Sequence, residues 1–519
     1  MSIDPSARAI NPEGGYSALI ALFLSCLAAL YPMLWHPFLP LIDIPNHIAR
    51  LAVLADPDGP LSTYYEIDAR SVIPNSAIDM IWIATGMTGD PVAFARSTMM
   101  VYAVNLILSV MVLSRVVHGR WSVWPAVAGL LVHNGSFLWG FQNFVFTVPF
   151  AIYGLALWLW LEDRPVLLRA AVFLPVAAAL FLMHLLGFGI LAVAALGREV
   201  QRVASACPAW RRQVQHGLVS GLPFALPLAW YLHQTLSRPP GPLGTHTDFG
   251  GLQHRLRALL SIQWETPLIE QPLLGPVALI ILIVLLLCFA TLRRKGGARL
   301  KIAPVMKGPV TALLILSLLA PSWINGVALV HIRFPFVVVA LALAATQWVD
   351  LKAPGRAALV FLFTAMIVQK TVLLERFWDF NAADVSALRT ILPHIPPGGR
   401  LLPLRGPDQE HIRRLWHVQA YATTYQGVFV PTFFQGSHGV RLKPEWQHHA
   451  APAARPVDMR LVLSPRYQWI ERADAYWKNY AQKYTHVLLL DPAPKEVIDG
   501  TGLSEIASAG RFRLFAIDQ

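Results

Sequence analysis

The sequence predicts a polytopic α-helical membrane protein with about eleven transmembrane helices, followed by a C-terminal extracytoplasmic α/β domain. Composition is the first observation behind this fold class. Of the 519 residues, 55% are hydrophobic and only 14% are charged, whereas a soluble globular chain carries about a quarter charged residues. Mean hydropathy is +0.49. The second observation is that long apolar segments recur as far as Leu374, after which hydropathy falls.

Each crossing of the hydrocarbon core needs about 20 mostly apolar residues, because lipid offers the backbone no hydrogen-bond partner. Several segments meet this condition plainly. They are residues 16–35, 93–117, 122–137, 143–161, 216–234, 273–292, 308–325, 332–349 and 356–374. No signal-peptidase site follows the first of them, so we expect it to be an uncleaved span.

Residues 166–200 form one longer apolar stretch, with His184 near its middle. We predict two short spans that turn near His184. A single span would place the Arg-rich segment 198–212 outside the cytoplasm, against the positive-inside rule. The complete set of crossings then puts the N-terminus in the cytoplasm and the C-terminus outside. The net charge of +12 is explained by an anionic membrane surface rather than by nucleic acid.

The last part of the chain is predicted to be a water-exposed α/β domain. Short apolar runs bounded by Pro, Gly or Asp predict strands at 400–404, 484–490 and 512–517, and residues 382–392 have helical spacing. The segment 405–466 has no clear period, and we assign nothing there. We therefore divide the chain into a transmembrane domain, residues 1–376, and a C-terminal domain, residues 377–519.

Several classes of function are excluded by missing motifs. The three cysteines do not form a disulfide framework or a zinc-binding spacing, because two lie in apolar runs and one in an Arg-rich loop. The sequence contains no GxxxxGK[ST] phosphate loop and no GxGxxG after a strand, so coupling to ATP is not expected. We predict no cofactor.

The loop between the first two spans, residues 36–92, is too long for a simple connection, and long loops usually carry function. It opens with Asp43-Ile-Pro-Asn-His47-Ile-Ala-Arg50, in which Asp43 can cap a helix and Pro45 suits its first turn. An apolar stripe predicts an amphipathic helix at the outer membrane surface, and a second helix is predicted over 77–87. Asp43 and His47 are four residues apart, so they share one face. Asp43 is thus either an N-cap or a functional carboxylate.

Other polar residues gather on the same outer side, where ionisable groups near membrane depth tend to mark sites. They are His133, Asn134, Gln142, Asn143, His184, His246, Asp248, His254, Arg255, Arg257, Glu265, His331 and Arg333. Arg333 is the best single cation among them. At the outer end of an apolar helix its guanidinium can snorkel, or it can bind a phosphate through its planar fork.

These features resemble the GT-C superfamily of membrane glycosyltransferases, which includes the protein O-mannosyltransferases and the aminoarabinose transferase. The resemblance covers most of the chain. It rests on the cytoplasmic N-terminus, the large first outer loop with an early Asp43 and surface helices, the number of spans and the outer C-terminal domain. The string from Asp43 to Arg50 is similar to a DxPNHxAR-type stretch in uncharacterised bacterial members.

The resemblance implies an inverting glycosyltransferase in the bacterial cytoplasmic membrane, with a periplasmic domain. Its donor would be a polyprenyl-phosphate-linked sugar, and its acceptor an envelope lipid, glycan or protein. Asp43 would be the catalytic base, Arg333 would hold the departing phosphate, and His47, His331 and Arg255 would help to bind the substrate. Some relatives carry a second, metal-binding acid, but Ile44 follows Asp43 here and the loop 133–143 has none. Metal ligands are therefore not predicted, and dependence on a divalent metal stays an open alternative. Glu66, Asp68 or Asp79 could supply a second carboxylate.

Two other classes of function stay open at this stage. The many spans with polar residues at their ends fit a transporter or flippase of a lipid-linked glycan. Transporters, however, usually place ionisable groups near the midplane and often contain inverted repeats, and neither is clear here. The aromatic-rich segment 421–434 fits a non-catalytic envelope-assembly protein that binds partners through its outer domain.

Overall fold

The computed structural model describes most of the chain. The described residues are 12–67, 74–206, 209–237, 246–260, 299–349, 353–406, 413–434, 439–451, 454–463, 475–491, 498 and 501–518. The predicted span 273–292 lies outside them.

The N-terminal three quarters of the chain is mostly helical. Its α-helices in the described residues are α1 (Pro12–Trp35), α2 (Ile44–Ala55), α3 (Ala77–Ala84), α4 (Pro91–His118), α5 (Gly135–Leu138), α6 (Gln142–Trp160), α7 (Val166–Met183), α8 (Leu185–Ser205), α9 (Trp210–Ser237), α10 (Leu252–Leu260), α11 (Lys307–Leu319), α12 (Pro335–Ala345) and α13 (Ala353–Ile391). Short 3-10 helices cover Pro60–Thr63, Trp124–Leu131, Pro304–Met306 and His331–Arg333.

Five of the described helices, α1, α4, α6, α7 and α13, are long and apolar enough to cross a membrane. Large apolar side chains on them point outward instead of into a protein core. Phe23 on α1 is 66% exposed and Phe361 on α13 is 76% exposed. Such surfaces suit contact with lipid tails. The full number of crossings and the orientation of the termini stay predictions.

The stretch 166–200 consists of two helices, as predicted, and the break falls at His184. The backbone there is extended, with φ −168° and ψ 128°. Arg169 near the start of α7 forms an ion pair of 3.1 Å with Glu199 near the end of α8. Because this pair joins the two far ends, α7 and α8 fold back on each other.

Three of the predicted spans are shorter or less regular helices than the hydropathy indicated. Residues 122–137 form a 3-10 helix and the short α5 instead of one long helix. The hydroxyl of Ser25 on α1 donates to the Ala126 carbonyl at 2.7 Å, and a Cβ at Gly129 would lie 2.1 Å from that hydroxyl oxygen. This segment therefore packs tightly against α1.

The segment 308–325 ends its helix at Leu319, since Ala320 precedes Pro321 and adopts the extended conformation that a following proline favours. A hairpin follows, with β4 (Trp323–Ile324) and β5 (Val327–Ala328) joined by Asn325-Gly326. Both turn residues have positive φ, 47° and 82°, as a two-residue hairpin turn requires. The hairpin extends a sheet that includes β2 (Thr247–Asp248).

The segment 332–349 is helical only over α12. Its last residues form β6 (Thr346–Val349), which pairs antiparallel with β3 (Arg299–Ile302). The helix α13, in contrast, continues well beyond residue 374 to Ile391 and so crosses our boundary between residues 376 and 377.

The C-terminal region contains a five-stranded mixed sheet, in agreement with the predicted α/β domain. Its strand order is β11 (Leu503–Ala509), β12 (Phe512–Ile517), β10 (His486–Leu489), β7 (Leu401–Arg405) and β9 (Val457–Asp458). The strands β10, β7 and β9 run parallel, and β12 runs antiparallel to its neighbours. The described helices of this region are α14 (Ala420–Gln426), α15 (Met459–Leu463), α16 (Tyr480–Lys483) and 3-10 helices at Leu392–His394, Arg413–Leu415 and Pro444–His449.

The long loop between the first two predicted spans and the C-terminal region pack against each other. The strand β1 (Tyr65–Ile67) of the loop pairs antiparallel with β8 (Val440–Leu442). The helix α2 forms where predicted, but ten of its twelve residues are buried. It is therefore an internal helix rather than one that rests on the membrane surface. The side-chain oxygen of Asn46 on α2 accepts a hydrogen bond from the Phe434 backbone at 3.3 Å.

Candidate active site

Asp43 stands directly before α2, where a side chain often caps a helix. Its carboxylate makes no such cap hydrogen bond, and its backbone is already helical, with φ −86° and ψ −11°. An N-cap interaction therefore does not account for this residue. The side chain is 16% exposed, so the carboxylate sits in a recess that solvent still reaches.

A tight turn after α5 fixes the backbone of Asp43. The amide of Asp43 donates to the carbonyl of Trp139 at 3.1 Å. The next residue, Gly140, has φ +79°, and a Cβ there would lie only 2.8 Å from the Asp43 nitrogen. Glycine is thus required both by the left-handed backbone and by the close approach. These contacts fix the main chain that carries the carboxylate.

Arg333 approaches Asp43 from the 3-10 helix before α12. Its guanidinium carbon lies 3.8 Å from the ring centroid of Phe141 and 5.6 Å from that of Phe144. One terminal nitrogen donates to the Ala328 carbonyl at 3.3 Å, whereas Nε is buried and has no hydrogen-bond partner in the described part of the chain. The Asp43 carboxylate is close enough to stabilise the charge of Arg333. An anion and a cation thus come together from distant parts of the sequence.

The third member of this group, His417, comes from the C-terminal region. Its Nε2 lies 3.4 Å from a carboxylate oxygen of Asp43, and its side chain is only 5% exposed. The ring packs edge-on against Phe434 at 5.0 Å between centroids. Its Nδ1 is buried without a partner among the described residues. Sequence reasoning assigned nothing to 405–466 and missed His417, since no motif or period there distinguishes it.

Neither a protein-family model nor a curated protein matches the chain. A solved structure does, namely the crystal structure of ArnT from Cupriavidus metallidurans bound to undecaprenyl phosphate. The TM-score is 0.51 at 13% sequence identity, and the match covers 97% of each chain. The fold is GT-C-like. At this identity the likeness concerns the fold over nearly the whole length.

Within this GT-C-like fold, His47 lies one turn beyond Asp43 and is buried beside His417. Burial lowers the pKa of His47 well below its ordinary value. The nearby Arg50 guanidinium acts in the same direction, and a hydrogen bond with the Gly140 backbone opposes both. The ring is therefore neutral at pH 7. It packs against Phe434 at 6.0 Å, and its Nδ1 has no partner in the described residues. His47 is suited to supporting this group rather than to pairing with a phosphate.

The structure places Arg255 and His331 with each other instead of with Asp43. Arg255, on α10, donates to the carbonyl of Leu318 at 2.9 Å and lies close to both His331 and His254. His331 starts the 3-10 helix that ends at Arg333 and is 6% exposed. No contact recorded among the described residues joins Arg255 to Asp43.

Several other outer polar residues of the GT-C-like fold have structural partners. Asn143 accepts from the Ile78 amide at 2.9 Å and thereby fastens α3 to α6. Asn134 caps α5 by accepting from the Phe137 amide at 3.1 Å. The Nδ1 of His184 accepts from the Leu186 amide at 3.0 Å, and the ring lies near Arg333. His184 thus both starts α8 and borders the recess.

The structure does not bring a second carboxylate to Asp43 from the candidates in the first loop. Asp79 on α3 is bound to Arg50 in a buried pair of 2.9 Å. Glu66 lies on the exposed side of β1, opposite Arg441. Asp68 is outside the described residues. Glu66 and Asp79 are therefore not available as acid partners for Asp43.

Proposed function

We propose that this protein is an inverting glycosyltransferase that moves a sugar from a polyprenyl-phosphate carrier to an acceptor outside the cytoplasmic membrane. The observation that carries the proposal is that Asp43 and Arg333 border the same turn of a GT-C-like fold. The Asp43 amide donates to the Trp139 carbonyl at 3.1 Å, and the Arg333 guanidinium carbon lies 3.8 Å from the ring centroid of Phe141. The ArnT structure of that fold contains undecaprenyl phosphate, which supports a lipid-linked donor of the same class.

The reaction needs one base and one cation. In the proposed step, Asp43 takes the proton of an acceptor hydroxyl, whose oxygen forms a bond to the anomeric carbon of the sugar. The bond between that carbon and the phosphate oxygen breaks, and polyprenyl phosphate leaves with the electron pair. A phosphate leaving group does not require a proton from an acid, in contrast to the usual pair of carboxylates in glycoside hydrolases. A single displacement inverts the anomeric centre.

In this proposal, Arg333 holds the phosphate throughout the step. A guanidinium presents a planar set of donors that matches phosphate oxygens, and the Nε of Arg333 has no other partner in the described residues. Its position over Phe141 and Phe144 restricts its movement. Preorganised donors of this kind stabilise charge that develops on a leaving group.

The decisive experiment compares two matched substitutions that flank the two ends of α2. The purified full-length protein would be assayed with a panel of polyprenyl-phosphate hexoses and pentoses and with lipid and glycan acceptors, and products would be identified by mass spectrometry. We expect Asp43→Asn to reduce transfer by about 10²- to 10⁴-fold, as loss of a general base does. Asp56→Asn, at the exposed C-terminal end of the same helix, should keep the wild-type rate.

Two results would contradict the proposal. One is a folded Asp43→Asn variant that transfers sugar at the wild-type rate. The other is movement of the lipid-linked sugar across a liposome bilayer without a new glycosidic bond, which would support a flippase.

A further inference from the structure

We propose that His36, Glu375 and Asp379 form a binding site for Zn²⁺ or a similar divalent transition-metal ion. This site is separate from the recess around Asp43. One ligand atom from each of these three side chains lies within 4.8 Å of the other two. His36 follows α1 directly, whereas Glu375 and Asp379 belong to α13. This inference does not rest on the proposed transferase activity.

The distances suit a tetrahedral metal ion. The Nε2 of His36 lies 3.1 Å from a carboxylate oxygen of Glu375 and 3.8 Å from one of Asp379. Bonds of about 2.0–2.1 Å in a tetrahedral zinc site place the ligand atoms about 3.3 Å apart. The Asp379 side chain is exposed and can move to bring its oxygen closer to His36.

Two further features of the cluster favour a bound cation. Glu375 and Asp379 are four residues apart on α13, and like charges at this spacing destabilise a helix by a few tenths of a kcal/mol. A cation between the two carboxylates removes that repulsion. In addition, the second carboxylate oxygen of Glu375 is buried and has no hydrogen-bond partner among the described residues. Buried charged oxygens of this kind call for a counterion.

The ligand types indicate which metal fits. One imidazole nitrogen with two carboxylates suits Zn²⁺ and its transition-metal neighbours, whereas Mg²⁺ and Ca²⁺ prefer oxygen ligands only. The His36 ring is 6% exposed and packs edge-on against Trp378 at 5.9 Å, so its position is fixed. Asp379 is 73% exposed, which leaves the fourth coordination position open to water.

A metal ion here would clamp the end of α1 to α13. Further along the same helix, Asp384 forms ion pairs with Arg414 and Arg511 of the C-terminal region. The metal site and these ion pairs would together fix the direction in which α13 leaves the helical body. The expected role of the ion is therefore structural.

Metal binding to the full-length protein tests this directly. The purified protein would be stripped with EDTA, dialysed against Zn²⁺, and its bound zinc counted by elemental analysis. We expect the wild type to bind one more zinc ion per protein molecule than either His36→Ala or Asp379→Asn does. Asp379 is exposed, so its variant should fold even if His36→Ala does not. His394→Ala, an exposed histidine of the C-terminal region, is the matched control and should bind as the wild type does.

A second readout is thermal unfolding. Zn²⁺ should raise the unfolding temperature of the wild type and of His394→Ala, and it should not raise that of Asp379→Asn. Equal zinc content in the wild type and Asp379→Asn would overturn the inference and leave His36 and Glu375 as a hydrogen-bonded pair without a metal ion. Because neither measurement involves sugar transfer, this failure is separable from a failure of the proposed function.

Discussion

The guanidinium of Arg333 combines two features that a lysine cannot reproduce. Its guanidinium carbon lies 3.8 Å from the ring centroid of Phe141, and its Nε has no hydrogen-bond partner among the described residues. Packing on an aromatic ring restricts the planar group and its set of donors. An ammonium group is a compact charge on a flexible stem and has no such plane.

Replacing Arg333 by lysine should therefore lower the rate of transfer while the protein stays folded. We expect a loss of about 10²-fold in kcat/KM, similar to the removal of one preorganised donor at a developing charge. The matched control is Arg255→Lys, since the described hydrogen bonds of Arg255 go to the Leu318 and Gly250 carbonyls. The measurement is the initial rate of transfer at varied donor concentration. Equal losses of kcat/KM in Arg333→Lys and Arg255→Lys would show that Arg333 has no special role in transfer.

At the scale of elements, α2 directly follows Asp43 and is held in place by α3. Arg50 on α2 donates to one oxygen of Asp79 on α3 through two nitrogens, at 3.0 and 2.9 Å, and both residues are at least 95% buried. Burial raises the pKa of Asp79, and the adjacent Arg50 guanidinium opposes this shift. The indole of Trp82 adds a hydrogen bond to the Leu51 carbonyl at 3.0 Å. The two helices of the first outer loop therefore form one unit.

Removing one partner of this pair should destabilise the protein more than removing both. Asp79→Leu leaves the Arg50 charge buried without a counterion, which costs about 3–5 kcal/mol in comparable pairs. The double variant Arg50→Met with Asp79→Leu replaces the pair by apolar groups and should recover most of that loss. Thermal unfolding in detergent, followed by tryptophan fluorescence, gives the comparison. Equal stability of Asp79→Leu and the wild type would show that the pair does not hold α2.

The sequence was sufficient to predict those helices and strands whose bounds depend on neighbouring residues alone. Helix α2 begins at Ile44, directly after Asp43, and strand β12 has the predicted bounds, because helix starts, turns and apolar runs are encoded within a few residues. The span predicted at 308–325 was too long for a local reason that hydropathy ignores. Pro321 ends α11, and Asn325-Gly326 then forms a hairpin.

The full set of site residues could not be predicted in the same way. Asp43 and Arg333 were identified because each lies at the edge of an apolar segment, which is a local feature. His417 is close to Asp43 only because the C-terminal region folds back onto α2, and no spacing in 405–466 encodes that contact. The burial of α2 under this region could not be predicted for the same reason. An apolar stripe shows that one face of a helix is buried, but it does not show what packs on the polar face of that helix.

At the scale of the whole molecule, the recess around Asp43 is assembled from two parts of the chain. The helical body supplies Asp43, Arg333 and the turn at Gly140, and the C-terminal region supplies His417. The pairing of β1 with β8 and the contact of Asn46 with the Phe434 backbone hold the two parts together. The C-terminal region is thus a wall of the site as well as a separate sheet.

If the C-terminal region positions the Asp43 carboxylate, the Nε2 atom of His417 should contribute more to the rate of transfer than the packing of its ring does. His417→Leu removes the nitrogen, and we expect transfer to fall about tenfold, equivalent to roughly 1.4 kcal/mol in the barrier. His417→Gln places a side-chain nitrogen near the position of Nε2 and should keep most of the rate. His448→Leu changes an exposed histidine of the same region and should behave as the wild type. The measurement is kcat for the three variants at saturating donor, together with their unfolding temperatures. A folded His417→Leu variant with unchanged kcat would mean that the C-terminal region covers Asp43 without positioning it.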